Sequence, residues 1–197
     1  MYYPFKNNTL INNFMKHIFF LLAVLFFITP VARAQKYFTK NGHISFFSKA
    51  PLENIKADNN QVVNVLSIQN GALQFSMLIK NFHFAKSLME VHFNENYMES
   101  AKFPTAGFKG TITNIKEIAF AKDGIYNATV TGDMTIHGVT KKLTATGAIT
   151  VSGSKISLRS KFIIKLADYN ISIPKLVIDK VAESVEITVN SEFNQKN

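Results

Sequence analysis

The sequence predicts an all-β domain of about eight antiparallel strands and one short helical crossover, closed into a barrel. Three observations carry that expectation. Tyr126 to Ile136 alternates almost without a flaw: Tyr126, Ala128, Val130, Gly132, Met134 and Ile136 fall on one side, Asn127, Thr129, Thr131, Asp133 and Thr135 on the other. Strand side chains point to opposite faces with period two, so this is a strand with one dry and one wet face. The same alternation recurs between turn signals along the chain, and no low-complexity linker or shift of composition divides it. Eight such strands suit a closed barrel, which leaves no exposed edge. A two-sheet sandwich satisfies the same alternation.

The first 34 residues read as an export signal. Lys16 and His17 give a weakly basic start, and Ile18 to Ile28 is an unbroken apolar run. It falls short of the ~20 residues that span a bilayer. Pro30 breaks it, and Ala32-Arg33-Ala34 supplies a small-x-small cleavage pattern. Cleavage is expected after Ala34, leaving Gln35 first and a single domain over residues 35–197. Residues 1–14 read as a mis-called start, since the signal is more ordinary from Met15. The alternative is an uncleaved anchor helix. The chain is thus expected to be periplasmic or secreted.

The domain's elements follow in order. Gly42 to Lys49 is a strand with Ile44 and Phe46 on one face. Asn54 to Asp58 and Val62 to Gln69 are two more, separated by the turn-prone Asp58-Asn59-Asn60. Asn70-Gly71 is the strongest hairpin signal, and Ala72 to Asn81 follows it. Phe82 to Ser100 keeps neither period, and a short helix around Ala85 to Glu99 fits it best. After Pro104 a strand runs from Thr105 to Ile115. Asp123-Gly124 opens the long strand, and His137-Gly138 turns into Thr140 to Val151. Ser152-Gly153 turns into Lys155 to Leu166, Asp168 to Lys180 is a loop, and Ser184 to Phe193 is the last strand.

Composition excludes several chemistries. There is no cysteine, hence no disulfide, thiol nucleophile, thiolate metal site or lipid-modified N-terminal cysteine. The formal charge is +9, and removing Lys6, Lys16 and Arg33 with the leader leaves +6. Apart from Lys141-Lys142 at a hairpin end, the remaining lysines are spread singly, without the basic stripe and exposed aromatics of a nucleic-acid binder. They read as a solvated surface; the sharper alternative is weak, transient attraction to anionic membranes. His43, His83, His92 and His137 form no zinc-ligand spacing. No Gly-x-Ser-x-Gly elbow, phosphate loop or dinucleotide fingerprint occurs. The chain reads as a non-enzyme without cofactor or metal. Glu90, Glu95 and Glu99 are spaced as a solvated helix face, and His92 with Glu90 or Glu95 is the one catalytic alternative.

Apolar material dominates what remains. The chain has 18 phenylalanines and no tryptophan. Phe46, Phe75, Phe108, Phe162 and Phe193 take inward strand positions, alongside the small Gly110, Gly132, Ala145 and Gly147. Large residues beside glycines mean either tight interdigitation or room for a guest. At about eight strands a barrel can be filled by side chains or hold one small ligand.

Three segments resemble one family. Gly132-Asp133-Met134-Thr135-Ile136-His137-Gly138-Val139-Thr140-Lys141 resembles the G-D-L-T-I-x-G-V-T hairpin of the YceI-like, polyisoprenoid-binding proteins. Glu90-Val91-His92-Phe93, followed by Lys102-Phe103-Pro104 and Phe108, is similar to that family's crossover. Asp168-Tyr169-Asn170-Ile171 is similar to its late D-Y/F-G-I segment. The resemblance spans roughly residues 36–193. It implies an elongated, lipocalin-like, eight-stranded antiparallel barrel whose apolar lumen sequesters a long isoprenoid or similar amphiphile in the periplasm, without catalysis.

On that basis Phe46, Phe75, Met77, Ile79, Phe108, Ile112, Met134, Phe162 and Ile164 are expected to line the lumen. Phe84, Phe93 and Tyr97 are expected at its mouth or lid. The expected partner is an isoprenoid or other long-chain lipid. Two rivals remain: an interaction module with a filled barrel, and a hydrolase or isomerase using His92.

Overall fold

The alternating segments become strands that close on themselves. A computed structural model of the chain describes residues 36–195; the expected leader and its cleavage site lie outside the described residues. The strands are β1 (Lys36–Lys49), β2 (Asn54–Ser67), β3 (Ala72–Leu78), β4 (His83–Phe84), β5 (Thr105–Ile112), β6 (Gly124–Ile136), β7 (Val139–Ser152), β8 (Lys155–Lys165) and β9 (Ser184–Gln195). Their order is β1-β9-β8-β7-β6-β5-β3-β2, and β2 pairs back with β1. Eight long antiparallel strands therefore form a closed barrel, which excludes the sandwich. β4 is a two-residue addition on β2, pairing Phe84 with Ala57 and His83 with Asp58.

The longest ladder is the one the sequence marks most clearly. β6 pairs with β7 in continuous register from Gly124–Val151 to Ile136–Val139. His137 and Gly138 turn it with φ of 51° and 72°. Two successive positive φ values are the geometry a two-residue hairpin needs to match the strand twist. On the outer face Thr131 and Thr144, and Thr135 and Thr140, hydrogen-bond across the strands at 3.0 and 2.8 Å.

Elsewhere boundaries differ from the sequence expectation. Asp58-Asn59-Asn60 makes no turn: β2 runs through it as one strand, with Ser45 opposite Asp58 and Ile44 opposite Asn59. The turn chemistry is used as a bulge instead. Asn59 is fully buried; its Oδ1 accepts from the Gln61 N–H at 2.9 Å and its Nδ2 donates to the Leu78 carbonyl at 3.0 Å. An Asx turn thus satisfies the backbone where the β1–β2 register slips, between Thr39 and Ile44.

β1 begins at Lys36, six residues before its expected start, because that end pairs with both β2 and β9. β3 stops at Leu78, where a 3₁₀ turn over Ile79–Asn81 starts the crossover, and β5 stops at Ile112. The crossover helix is shorter than expected. α1 (Ser87–His92) passes into a π-helical turn over Phe93–Tyr97. The loop after β8 holds two 3₁₀ turns, Leu166–Tyr169 and Lys175–Val177.

Candidate functional site

The inward faces do two different things along the barrel axis. At the end holding the crossover, the β6–β7 hairpin and the β8–β9 connection, they enclose a cavity of about 430 Å³. Ile44 and Phe46 of β1, Met77 of β3, Met134 of β6 and Ile164 of β8 wall it. The crossover covers it with rings. Phe93 stacks on Phe46 at 5.5 Å and meets Phe84 at 5.0 Å, while Phe82 meets Phe46 and Phe93 at 5.6 Å each. Such pairs add about 0.5–1.5 kcal/mol beyond the area they bury, so the rings help to hold the lid on β1. Burial raises the pKa of Tyr97, beside these rings, and its hydroxyl stays neutral.

Phe75, Phe162 and Val189 separate this cavity from a smaller void of about 20 Å³ between residues such as Leu73, Val130, Leu143 and Leu158. Phe75 stacks on Phe108 of the neighbouring strand, centroids 5.1 Å apart. Gly110 and Gly132 let the Phe108 ring lie flat against the wall. A Cβ at Gly110 or Gly132 would stand 2.5 or 2.7 Å from the Phe108 ring. The glycines beside large residues thus admit a ring of the protein itself. Farther down, Ile112, Ile149, Ile156 and Leu66 are essentially without solvent contact.

Of the nine expected lining residues, Phe46, Phe75, Met77, Ile79, Met134, Phe162 and Ile164 border the large cavity. Phe108 does not; it touches only the small void. Ile112 borders neither. Both face inward but sit too deep, because alternation gives a residue's face and not its depth. Phe84, Phe93 and Tyr97 all border the mouth side of the cavity. The expectation did not include Phe82, Met98, Ile171 or Val185, which also border it. Phe82 and Met98 lie in the segment without a period, and Ile171 lies in a loop.

The charged side chains that border the cavity stand at its rim. Lys86 pairs with Glu53 at 2.7 Å, and Lys180 and His92 stand nearby. The one deeper hydroxyl, Ser48, accepts from the Ala182 N–H at 3.0 Å. Glu90 does not join His92: it accepts from the Phe84 N–H at 3.2 Å and lies 3.7 Å from His83. Among the described ion pairs none includes His92 or Glu95. Lys142, near the hairpin end, pairs with Asp133 at 2.8 Å.

A buried clasp fastens the crossover to the barrel. His137 Nε2 is 2.9 Å from the Glu99 carboxylate, and its Nδ1 is 3.1 Å from the Tyr169 carbonyl. Phe103 packs edge-on against the same imidazole at 4.6 Å. The Tyr169 carbonyl accepts, so Nδ1 carries a proton in that bond, and the Glu99 carboxyl group meets the opposite nitrogen. Glu99, His137 and Asn170 are the three non-glycine residues with positive φ among those described. Each lies in or next to this clasp, so backbone strain is concentrated where three chain segments meet. Burial, and then the Asp168 charge, raise the Tyr169 pKa.

A closed antiparallel barrel with an apolar cavity under an aromatic lid has the form of a small-molecule site. Residues 33–193 match the YceI-like domain model, and the chain belongs to that family. Solved structures agree on the fold. A polyisoprenoid binding domain from Saccharophagus degradans, implicated in plant cell wall breakdown, superposes with a TM-score of 0.71 at 14% identity, over 83% of this chain and 99% of its own. BcnA of Burkholderia cenocepacia gives 0.65 at 17% identity, over 77% and 95%. A Campylobacter jejuni YceI protein gives 0.53 at 15%, over 70% and 81%. No curated protein sequence matches the chain.

Proposed function

We propose that this protein is an exported, non-catalytic carrier or scavenger that holds a long-chain amphiphile, an isoprenoid or similar lipid, in its barrel. The observation that carries the reading is the cavity of about 430 Å³, walled chiefly by apolar side chains. Each buried methylene of a guest contributes about 0.8 kcal/mol, so a chain fills such a space favourably without a demanding head-group site. Met77 and Met134 in the wall adapt to different guests, being flexible gap-fillers. Membership in a family with a polyisoprenoid-binding structural neighbour supports the same reading.

Organic extraction of the purified protein followed by mass spectrometry tests it. The expected result is a stoichiometric lipid, lost in Phe162→Glu while the circular dichroism stays that of a folded barrel. A lipid-free protein, or the same lipid load in the variant, refutes it. N-terminal sequencing of protein recovered from the periplasm or medium should begin at Gln35.

The rim suits transient contact with a membrane from which cargo is taken. Leu52 in the β1–β2 connection, Leu88 in α1, and Leu176 and Ile178 in the β8–β9 connection are exposed large apolar residues. Lys49, Lys86, Lys175 and Lys180 stand in or beside those same segments, the combination that favours anionic surfaces. Cosedimentation with anionic vesicles but not with neutral ones, weakened in Leu176→Asp, is expected. Equal behaviour of the variant rejects this contact.

A further inference from the structure

We infer that the mouth of the cavity prefers an anionic head group, so that the guest is an amphiphile ending in an oxyanion, a carboxylate or a phosphate monoester. This rests on the lipid-binding reading above and names the chemical class of the end that stays at the rim. The charged side chains bordering the cavity are Glu53, Lys86 and Lys180, with the titratable His92 beside them. Glu53 is already engaged, 2.7 Å from the Lys86 ammonium. Lys180 belongs to none of the described ion pairs. One positive charge at the rim is thus left without a counter-charge from the described residues.

The acidic groups of the same segments are turned elsewhere. Glu90 accepts from the Phe84 N–H and lies 3.7 Å from His83. Glu95, Asp179 and Glu183 do not border the cavity. Asp179 acts through its backbone: its carbonyl accepts from the Leu52 N–H at 2.9 Å. That bond sets the segment carrying Lys180 beside the one carrying Glu53.

The uncharged groups lean the same way. The Ser48 hydroxyl accepts from the Ala182 N–H at 3.0 Å, and its own proton enters no described bond. Burial keeps the Tyr97 hydroxyl protonated. Both residues border the cavity, and a hydroxyl with a proton to give suits an acceptor. A cationic head would meet Lys180 with Glu53 already engaged. Both lysines are exposed, so water screens the preference to about fivefold.

The test compares four guests with one alkyl chain, so that the buried hydrocarbon cancels: dodecanoic acid, dodecyl phosphate, dodecanol and dodecylamine. Each is titrated calorimetrically into the delipidated protein below its micelle concentration, without vesicles. At low salt either anion should bind about fivefold more tightly than the alcohol, and the amine should bind least. The gap should shrink toward ~1 M salt. Either anion ahead of the alcohol supports the proposal, and the tighter of the two names the source of the oxyanion.

Lys180→Gln should remove most of the gap without weakening dodecanol. Lys86→Gln releases the Glu53 carboxylate and should shift the preference toward the amine. A gap that survives in both variants overturns the role given to these lysines. An alcohol or amine that matches the anions on the parent protein overturns the head-group preference but leaves lipid binding intact. No binding of any of the four overturns the lipid-binding reading itself.

Discussion

Below Phe75 the barrel is solid, and above it the same strands enclose a void. β6, β7, β8 and β9 run through both halves with one alternating pattern, yet Ile149, Ile156 and Phe193 pack tightly while Met134, Ile164 and Val185 face open space. The difference lies in what fills the axis. In the lower half, side chains from opposite strands meet, helped by glycines that let Phe108 lie against the wall. In the upper half the axis is left free, and closure is handed to the crossover and its rings. Stability and binding are thereby placed in separate halves of one sheet.

That separation can be broken by mutation. Ile149→Ala, in the solid half, should cost about 2–5 kcal/mol, since a fully buried aliphatic side chain is removed where nothing can collapse into the gap. Ile164→Ala, in the cavity wall, should cost only about 1–2 kcal/mol in the delipidated protein, because one side of Ile164 already lacks partner atoms. Urea unfolding of both variants gives the comparison. Equal losses would mean that the halves are not energetically distinct.

The smallest effect is expected on the outer wall, which both halves share. Burial alone would raise the Asp58 pKa, but hydrogen bonds from His43 and Lys56, at 2.9 and 3.1 Å, and their charges outweigh it and hold the pKa below the ordinary 3.8. A carboxylate whose native pKa is depressed stabilises the fold above its unfolded value and loses that contribution as pH falls through the native one. Asp58→Asn should therefore be slightly less stable than the parent near neutrality, by under about 1 kcal/mol after solvent screening. The gap should close in strong acid. A gap that persists at low pH would assign the effect to packing rather than to charge.

The strands and their faces were legible because alternation is a local property, as in Tyr126 to Ile136. Depth was not. Phe108 and Phe75 are partners in register, and only the closed barrel shows that Phe75 reaches the large cavity while Phe108 does not. The choice between a filled interior and a lined one had no single answer, because the molecule builds both. The mouth residues Phe84, Phe93 and Tyr97 were legible through the loss of any period. The Glu99–His137–Tyr169 clasp was not, since its members lie 38 and 32 residues apart and carry no shared motif. The Asp58-Asn59-Asn60 signal was read correctly as turn chemistry but misplaced, because an Asx turn can serve a bulge as well as a chain reversal.

The packed lower half has one more effect. A tube stopped halfway is a cup, not a conduit, so in the proposed role a cargo leaves by the opening through which it came. Loading and unloading then compete at one doorway, and whatever donates or receives the cargo has to come to the side that carries Leu88 and Leu176. Traffic through such a vessel is governed by how readily its cover lifts, not by flow along its length.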